Sequence, residues 1–309
     1  MPEIVIGKVK VRTFEAPSAG FDPITANAAT LAHHGFPARP DPEKQPQTFA
    51  LWHREMTKFR DLGFKVVAPN FKQLPISHGP SRRRKPGDSA LVNGTSDNWS
   101  GAVLATNATT DPFTWIVGEW TVPNVYSPTP TNASTYYSSA WLGIDGDGSP
   151  DVLQAGTASE VSGASVNCYA WWEWFPETSI AIAGLPFHPG DSGSLTICST
   201  GPNTAYMSYR NLTSLLATSF SITAPAGTNL VGNCAEAICE RPGVNGELAQ
   251  LPRYGECFFN NVTAHTKSGA SFGIGSGTLV SMVADDGKTV ISTPSVLDGD
   301  SIRCGYTGS

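Results

Sequence analysis

The sequence predicts an all-β body, a sandwich or related barrel, behind a small and partly helical N-terminal segment. Three observations carry this. From Trp99 onward, short stretches alternate apolar and polar residues, among them "TWIVGEWTV", "STYYSSAWLGI", "SVNCYAWWEWF", "SGSLTICS" and "GTLVSMVA". Turn residues separate them at short intervals, in a 309-residue chain with 31 Gly, 24 Pro and only 15% charged residues. The charge also changes sign along the chain. Residues 1–90 carry 14 Lys and Arg against 8 Asp and Glu, whereas residues 91–309 carry 6 against 18.

The first segment reads as residues 1–90. Pro and Ala dominate 20–45, where "FPARPDPEKQP" is stiff and extended. "QTFALWHREMTKFRDLGF", from Gln47, sets Phe49, Trp52, Met56 and Phe59 at helical spacing and predicts one amphipathic helix. "HGPSRRRKPGDSALVNGTSDN", from His78, mixes Gly, Pro and Ser with the basic run Arg82–Lys85 and predicts an exposed, cleavable linker. The body is then 91–309.

An acidic body repels nucleic acid, so a DNA or RNA partner is not expected. No run of eighteen apolar residues occurs, so no spanning helix is expected. The opening "MPEIVIGKVKVRTF" lacks the apolar core of a secretory signal. All six cysteines (168, 198, 234, 239, 257, 304) lie in the body. An even count fits disulfides in an oxidising compartment, and it fits inert buried thiols equally well. Cys234 and Cys239 sit an odd number of residues apart, so on one strand they face opposite ways and a bridge between them is disfavoured. No Cys-x2-Cys spacing supports zinc, and "DGDGSPD" (Asp145, Asp147, Asp151) lacks the downstream Glu of a calcium loop. No metal or cofactor is expected.

"FHPGDSGSL" contains Gly-Asp-Ser-Gly around Ser192, the setting of a serine nucleophile. Such a serine needs a His base. Upstream histidines are confined to the basic segment (His33, His34, His53, His78) and to His188, four residues away in a Pro-Gly turn. The sequence therefore argues against a serine triad.

Carboxylates and amides remain. Gln154 lies on a short apolar strand in "PDVLQAGT". In "YAWWEWFPE", Trp171, Glu173 and Phe175 share one face, so a carboxylate lined by aromatics suggests a groove for an extended ligand. In "AEAICERP", Glu236, Ile238 and Glu240 share a face. Periodicity alone leaves each open to a plainer role: a polar strand face, a satisfied core acid or a solvated rim charge.

"NWSGAV" (98–103), "AWLGIDGD" (140–147), "VLQAGT" (152–157), "YAWWEWFPE" (169–177) and "AEAICERP" (235–242) occur in that order. Together they resemble the glutamic peptidases, or eqolisins, over roughly 95–309. The resemblance implies a sandwich of two curved antiparallel sheets, a concanavalin-like jelly roll, with the site on a concave face. It implies Gln154 and Glu240 as the catalytic pair, and Trp99, Trp141 and Glu173 as substrate-binding residues. Glu236 matches a non-catalytic Glu. Ala237 and Cys239 stand where members carry a bulky aromatic and an aliphatic residue, which predicts altered packing beneath the site. Residues 1–90 resemble the family's propeptides in place and charge only.

The implied activity is that of an acid-active, pepstatin-insensitive endopeptidase, made as a secreted, monomeric precursor that cleaves protein or peptide substrates. An ionised Glu takes the water proton and returns it to the leaving amine, while Gln holds the water and donates to the oxyanion. A glutamate ordinarily titrates near about 4.3, which sets the range in acid. The basic segment is expected to cover the acidic cleft as an inhibitor held by charge and released in acid. The competing reading is a carbohydrate-binding sandwich, or a glycosidase with Glu173 and Glu240 as paired acids. Gln154 discriminates, because neither alternative needs an oxyanion donor.

Overall fold

A computed structural model describes residues 3–82, 94–129 and 134–308. Arg83, Arg84 and Lys85 of the basic run and the 90/91 boundary lie outside the described residues. The body is a two-layer antiparallel sandwich, as the alternation predicts. One sheet runs through strands Thr278–Val283, Trp99–Ala105, Cys234–Glu240, Thr135–Ile144, Leu153–Ser162, Ser165–Trp174 and Ile180–Pro186, each paired antiparallel with the next. The other runs through Leu216–Thr223, Thr204–Asn211, Ser192–Gly201, Phe113–Thr121, Glu256–Thr266 and Ile302–Tyr306. Val290–Val296 pairs with a strand of each and joins the two layers.

Period-two alternation decides what fills the space between the sheets. Leu153, Ala155, Trp172, Trp174, Ala235 and Ala237 point inward from the first sheet against Trp120, Leu195, Ile197, Met207, Phe220 and Phe259 of the second. Two polar groups are bonded across this core: Trp120 Nε1 donates to Thr157 Oγ1 at 2.8 Å, and the Tyr209 hydroxyl donates to the Gly156 carbonyl. Cys239 also faces inward, and its thiol meets those of Cys257 and Cys304. Cys234 belongs to the opposite face, as the odd spacing requires. All six cysteines are free thiols, five of them buried.

The N-terminal segment is built into this body. Helix Pro46–Leu62 opens on Pro46 and closes on Gly63, whose φ of 65° suits glycine. The helix packs on the outer face of the second sheet through Leu51, Trp52, Met56 and Phe59, while Phe49 is half-buried. Beneath it Arg210 Nη1 meets Glu55 Oε2 at 3.0 Å, with both residues buried, and Lys58 pairs with Glu119. Strand Val9–Thr13 extends the second sheet beside Leu216–Thr223. The chain then turns round the edge of the sandwich. Phe71–Gln73 adds to the first sheet beside Ile180–Pro186, and Ile76–Ser77 pairs with Gly243–Val244.

The Glu55–Arg210 pair sets the hold of the helix on the body. Glu55→Ala leaves a guanidinium buried without its partner, which costs roughly 3–5 kcal/mol. Urea unfolding of the full chain at neutral pH is expected to show a loss of that order for Glu55→Ala and a small change for the exposed Asp61→Ala. Equal, small losses from both would contradict the assignment.

Candidate active site

The site stands on the face of the first sheet turned away from the core. Strand register sets it out in three rows. Trp99, Glu240, Ser139, Ala158 and Tyr169 are successive cross-strand partners. Ile238, Trp141, Gly156 and Trp171 form the next row. Glu236, Gly143, Gln154 and Glu173 form the third. Thus the five residues singled out by sequence, Gln154, Glu240, Trp99, Trp141 and Glu173, lie on one face of five neighbouring strands.

Two glycines make room for this arrangement. A Cβ on Gly156 would stand 2.0 Å from the Ala140 carbonyl oxygen, so no larger residue fits between Trp141 and Trp171. A Cβ on Gly143 would stand 2.7 Å from Glu236 Oε1, so the Glu236 carboxyl leans over bare backbone. Trp99 meets Trp141 edge to face, with centroids 5.0 Å apart at 78°. Trp141 Nε1 donates to Glu240 Oε2 at 2.8 Å, and Ser139 Oγ lies 3.5 Å from the same oxygen. Glu240 Oε1 and Gln154 Oε1 are buried and accept no hydrogen bond among the described residues.

The groove is closed: Gln154, Glu173, Trp99 and Trp141 are wholly buried and Glu240 is 1% exposed, because His78 fills the space above them. Its backbone N–H donates to Glu173, 2.9 Å from Oε2 and 3.1 Å from Oε1. The amide of Gln154 donates to its carbonyl oxygen. Its ring stacks on Trp171 at 3.6 Å and 11°, and Nδ1 lies 2.8 Å from Glu240 Oε2. Ser77 Oγ reaches Glu173 Oε1 at 3.3 Å. The exposed linker read from His78 onward is therefore wrong at its start: His78 is fully buried, and Gly79, Pro80 and Ser81 are at least half-buried. Phe175 closes the strand next to Gly79 and is only partly buried.

Sequence reasoning missed three contributors. His78 was set aside because only a base for Ser192 was being sought. Ser139 was hidden in an ordinary alternating strand. Asp145 was read as part of a turn, yet it is a lock. At φ 73° it turns the chain sharply, and its carboxylate accepts the N–H groups of Val231, Gly232 and Asn233 at 2.6, 2.8 and 2.9 Å. That ties the end of the Trp141 strand to the loop that launches the Glu240 strand. At Ser192, the serine N–H donates to Thr213, and Asp191 takes the N–H of His188 at 2.9 Å. Ala237 and Cys239 face the core and not the site.

Burial pushes the Glu173 carboxyl well up, against the His78 N–H and with the charge of Glu240. Burial and the Asp145 charge push Glu236 well up, and burial raises Asp145 against its three N–H donors. Groups raised in this way hold protons that the unfolded chain has released. Their contribution to stability is complete below the ordinary carboxyl value of about 4.5 and is lost as pH rises through the raised values. His265 opposes them: burial and the Arg54 charge push it down to about 4, so its contribution is complete above 6.5 and is lost as pH falls through about 4. With three carboxyls against one imidazole, the chain is expected to melt higher at pH 5 than at pH 7. Glu236→Gln should shrink that difference, read as thermal midpoints at the two pH values; an unchanged difference would contradict the burial of a titrating Glu236.

Comparison with known proteins gives the family. The model of the Peptidase A4 family matches residues 97–306. The chain is 28% identical over 236 residues to aspergillopepsin-2 of Aspergillus niger, a match covering 70% of this chain and 81% of that one. It is 24% identical over 216 residues to scytalidopepsin B of Scytalidium lignicola, covering 68% and 77%. Among solved structures it resembles scytalido-glutamic peptidase with a transition state analog inhibitor, at TM-score 0.59 and 24% identity over 68% of this chain and 98% of that one. It also resembles aspergilloglutamic peptidase from Aspergillus niger, at TM-score 0.52 and 26% identity over 56% and 99%. The rows of buried carboxylates, amide and indoles thus stand on the sandwich of a known class of hydrolase, and the chain belongs to the Peptidase A4 family, the glutamic peptidases or eqolisins, as a glutamic endopeptidase.

Proposed function

We propose that the protein is an acid-active endopeptidase precursor in which Glu240 and Gln154 hydrolyse the peptide bond and residues 1–90 hold the cleft closed. One observation carries the reading: the Gln154 amide donates to a peptide carbonyl oxygen, that of His78, while the Glu240 carboxylate lies against the same residue. An amide aimed at a carbonyl is what a developing oxyanion needs. The free acceptors Glu240 Oε1 and Gln154 Oε1 suit the two O–H bonds of an attacking water. Ionised Glu240 takes one of those protons as the oxygen attacks, then hands it to the leaving nitrogen. Trp141 Nε1 steadies the carboxylate, and Glu173 anchors substrate backbone as it anchors the His78 N–H.

Latency follows from the same contacts. His78 occupies Glu240 Oε2, Gln154 Nε2 and Glu173 together, which leaves a second peptide no donor and no base. At the cleft the segment is held by one imidazole and one N–H, a narrower hold than a broad basic surface. In acid the carboxylates of the acidic body take up protons, the charge attraction to the basic segment falls and the segment is freed. This chemistry suits a monomer working outside the cell in acidic surroundings. The carbohydrate-binding reading gains nothing, because indoles that would stack on sugar rings are buried beneath a peptide.

The test is cleavage of a denatured protein from pH 2 to 7 with pepstatin present. Activity should peak in acid and vanish in Glu240→Gln. Gln154→Ala should lose on the order of a hundred- to a thousandfold in kcat, as for removal of one oxyanion donor. Full activity in Gln154→Ala would exclude it from the chemistry, and activity surviving in Glu240→Gln would pass the role of base to another carboxylate.

A further inference from the structure

We propose that His78–Gly79 is the bond that the enzyme cuts in its own chain to release the N-terminal segment. The proposal rests on Gln154 and Glu240 being the hydrolytic pair. It differs from a cut in the basic run, where composition alone points.

The carbonyl groups of the segment decide the choice. The Ile76 oxygen is taken by Ser179, from its N–H at 2.8 Å and its hydroxyl at 2.9 Å. The Pro80 oxygen accepts from Asn98 Nδ2 at 3.2 Å, and the Arg82 oxygen from the Asp97 N–H at 3.1 Å. These are structural donors of loops and strand ends. The His78 carbonyl alone faces the Gln154 amide. Residues on both sides are held as a peptidase holds substrate. Ile76–Ser77 is extended and paired with Gly243–Val244, and the His78 N–H is fixed by Glu173. Beyond the bond, the Ser81 N–H donates to the Gly146 carbonyl at 2.9 Å, and the Arg82 N–H to Asn98 Oδ1 at 2.8 Å. The leaving side is unencumbered. A Cβ on Gly79 would meet only the Phe175 ring, at 3.5 Å.

Cleavage needs water and no other reactant. The water oxygen bonds to the His78 carbonyl carbon, and one of its protons moves to Glu240. The C–N bond to Gly79 breaks, and Glu240 passes that proton to the Gly79 nitrogen. His78 keeps the new carboxyl group and Gly79 the new amine. While the imidazole holds Glu240 Oε2, that carboxylate is poorly placed to act on water. Loosening of the segment in acid withdraws the imidazole from Glu240, so the same residue serves as plug at neutrality and as cleavage point in acid.

The experiment uses the full chain, purified at neutral pH and shifted to about pH 3.5. Samples quenched over time are read by intact mass and N-terminal sequencing, with activity on a denatured protein followed in parallel. The first products expected are 1–78 and a chain beginning at Gly79, formed at a rate independent of protein concentration. Gly79→Pro places a tertiary amide at the bond and should slow release at least about a hundredfold, the scale of loss when reacting groups are misplaced. Gly79→Ala, for which there is space, should be cut like the parent. Activity appearing while the 78–79 bond is intact, with the first cut anywhere in 82–93, would overturn this proposal and leave the peptidase reading standing. A chain that neither cuts itself nor cleaves the protein substrate, even after residues 1–78 are removed by another protease, would overturn both. Release of Gly79→Pro at the parent rate would overturn the proposal even if the mapping were ambiguous.

Discussion

Carboxyl groups removed from water must be neutralised or partnered, and this requirement shapes the whole molecule. Glu173, Glu236, Glu240 and Asp145 all lie on or beside one sheet face and are all buried. Each meets the requirement differently. Asp145 takes three backbone N–H groups. Glu240 takes an indole and an imidazole. Glu173 takes a backbone N–H and a hydroxyl from the segment laid across it. Glu236 has no nitrogen or hydroxyl donor among the described residues, only the Cys234 thiol beside it, and burial drives it toward its neutral form. Two of the four thus rely on residues 77–78, so the N-terminal segment completes the electrostatics of the body.

Route and hold of that segment follow from ordinary strand and helix physics. A capped amphipathic helix lies behind one sheet, an edge strand extends each layer, and two residues pair with Gly243–Val244. These contacts are distributed, and none is aimed at chemistry. They deliver His78 to the cleft with its carbonyl beneath the Gln154 amide. On the proposed reading, inhibition and substrate binding share one set of donors and acceptors, so the cleft can open without any large rearrangement of the sandwich.

Much of this was legible in the sequence. Period-two alternation gave the strands their faces, so Gln154, Glu173, Glu236 and Glu240 could be assigned to faces before any register was known. Five short motifs in order were enough to name the family. What sequence could not supply was register. Gly143 and Gly156 look like unremarkable strand glycines until their cross-strand partners are known, and only then do they explain how the Glu236 carboxyl and the indoles fit. His78 was invisible for another reason. It sits in Pro-, Gly- and Arg-rich sequence with no periodicity, and its importance comes wholly from where a long connection ends. A covering segment could be expected, but not which of its residues would fill the cleft, since alternation describes only the strands beneath it.

Everything here turns on His78 being seated in the cleft at neutral pH. Amide hydrogen exchange on the full-length chain at pH 7 tests this directly, read on peptides spanning residues 72–82 and repeated at about pH 3.5 with rates corrected for the intrinsic effect of pH. The account predicts that the His78 amide, held by a buried Glu173, exchanges as slowly as amides of the central strands at pH 7 and far faster in acid. Exchange at pH 7 at the rate of an unstructured peptide would contradict it, because a segment free in solution could neither close the cleft nor present its own bond for cleavage.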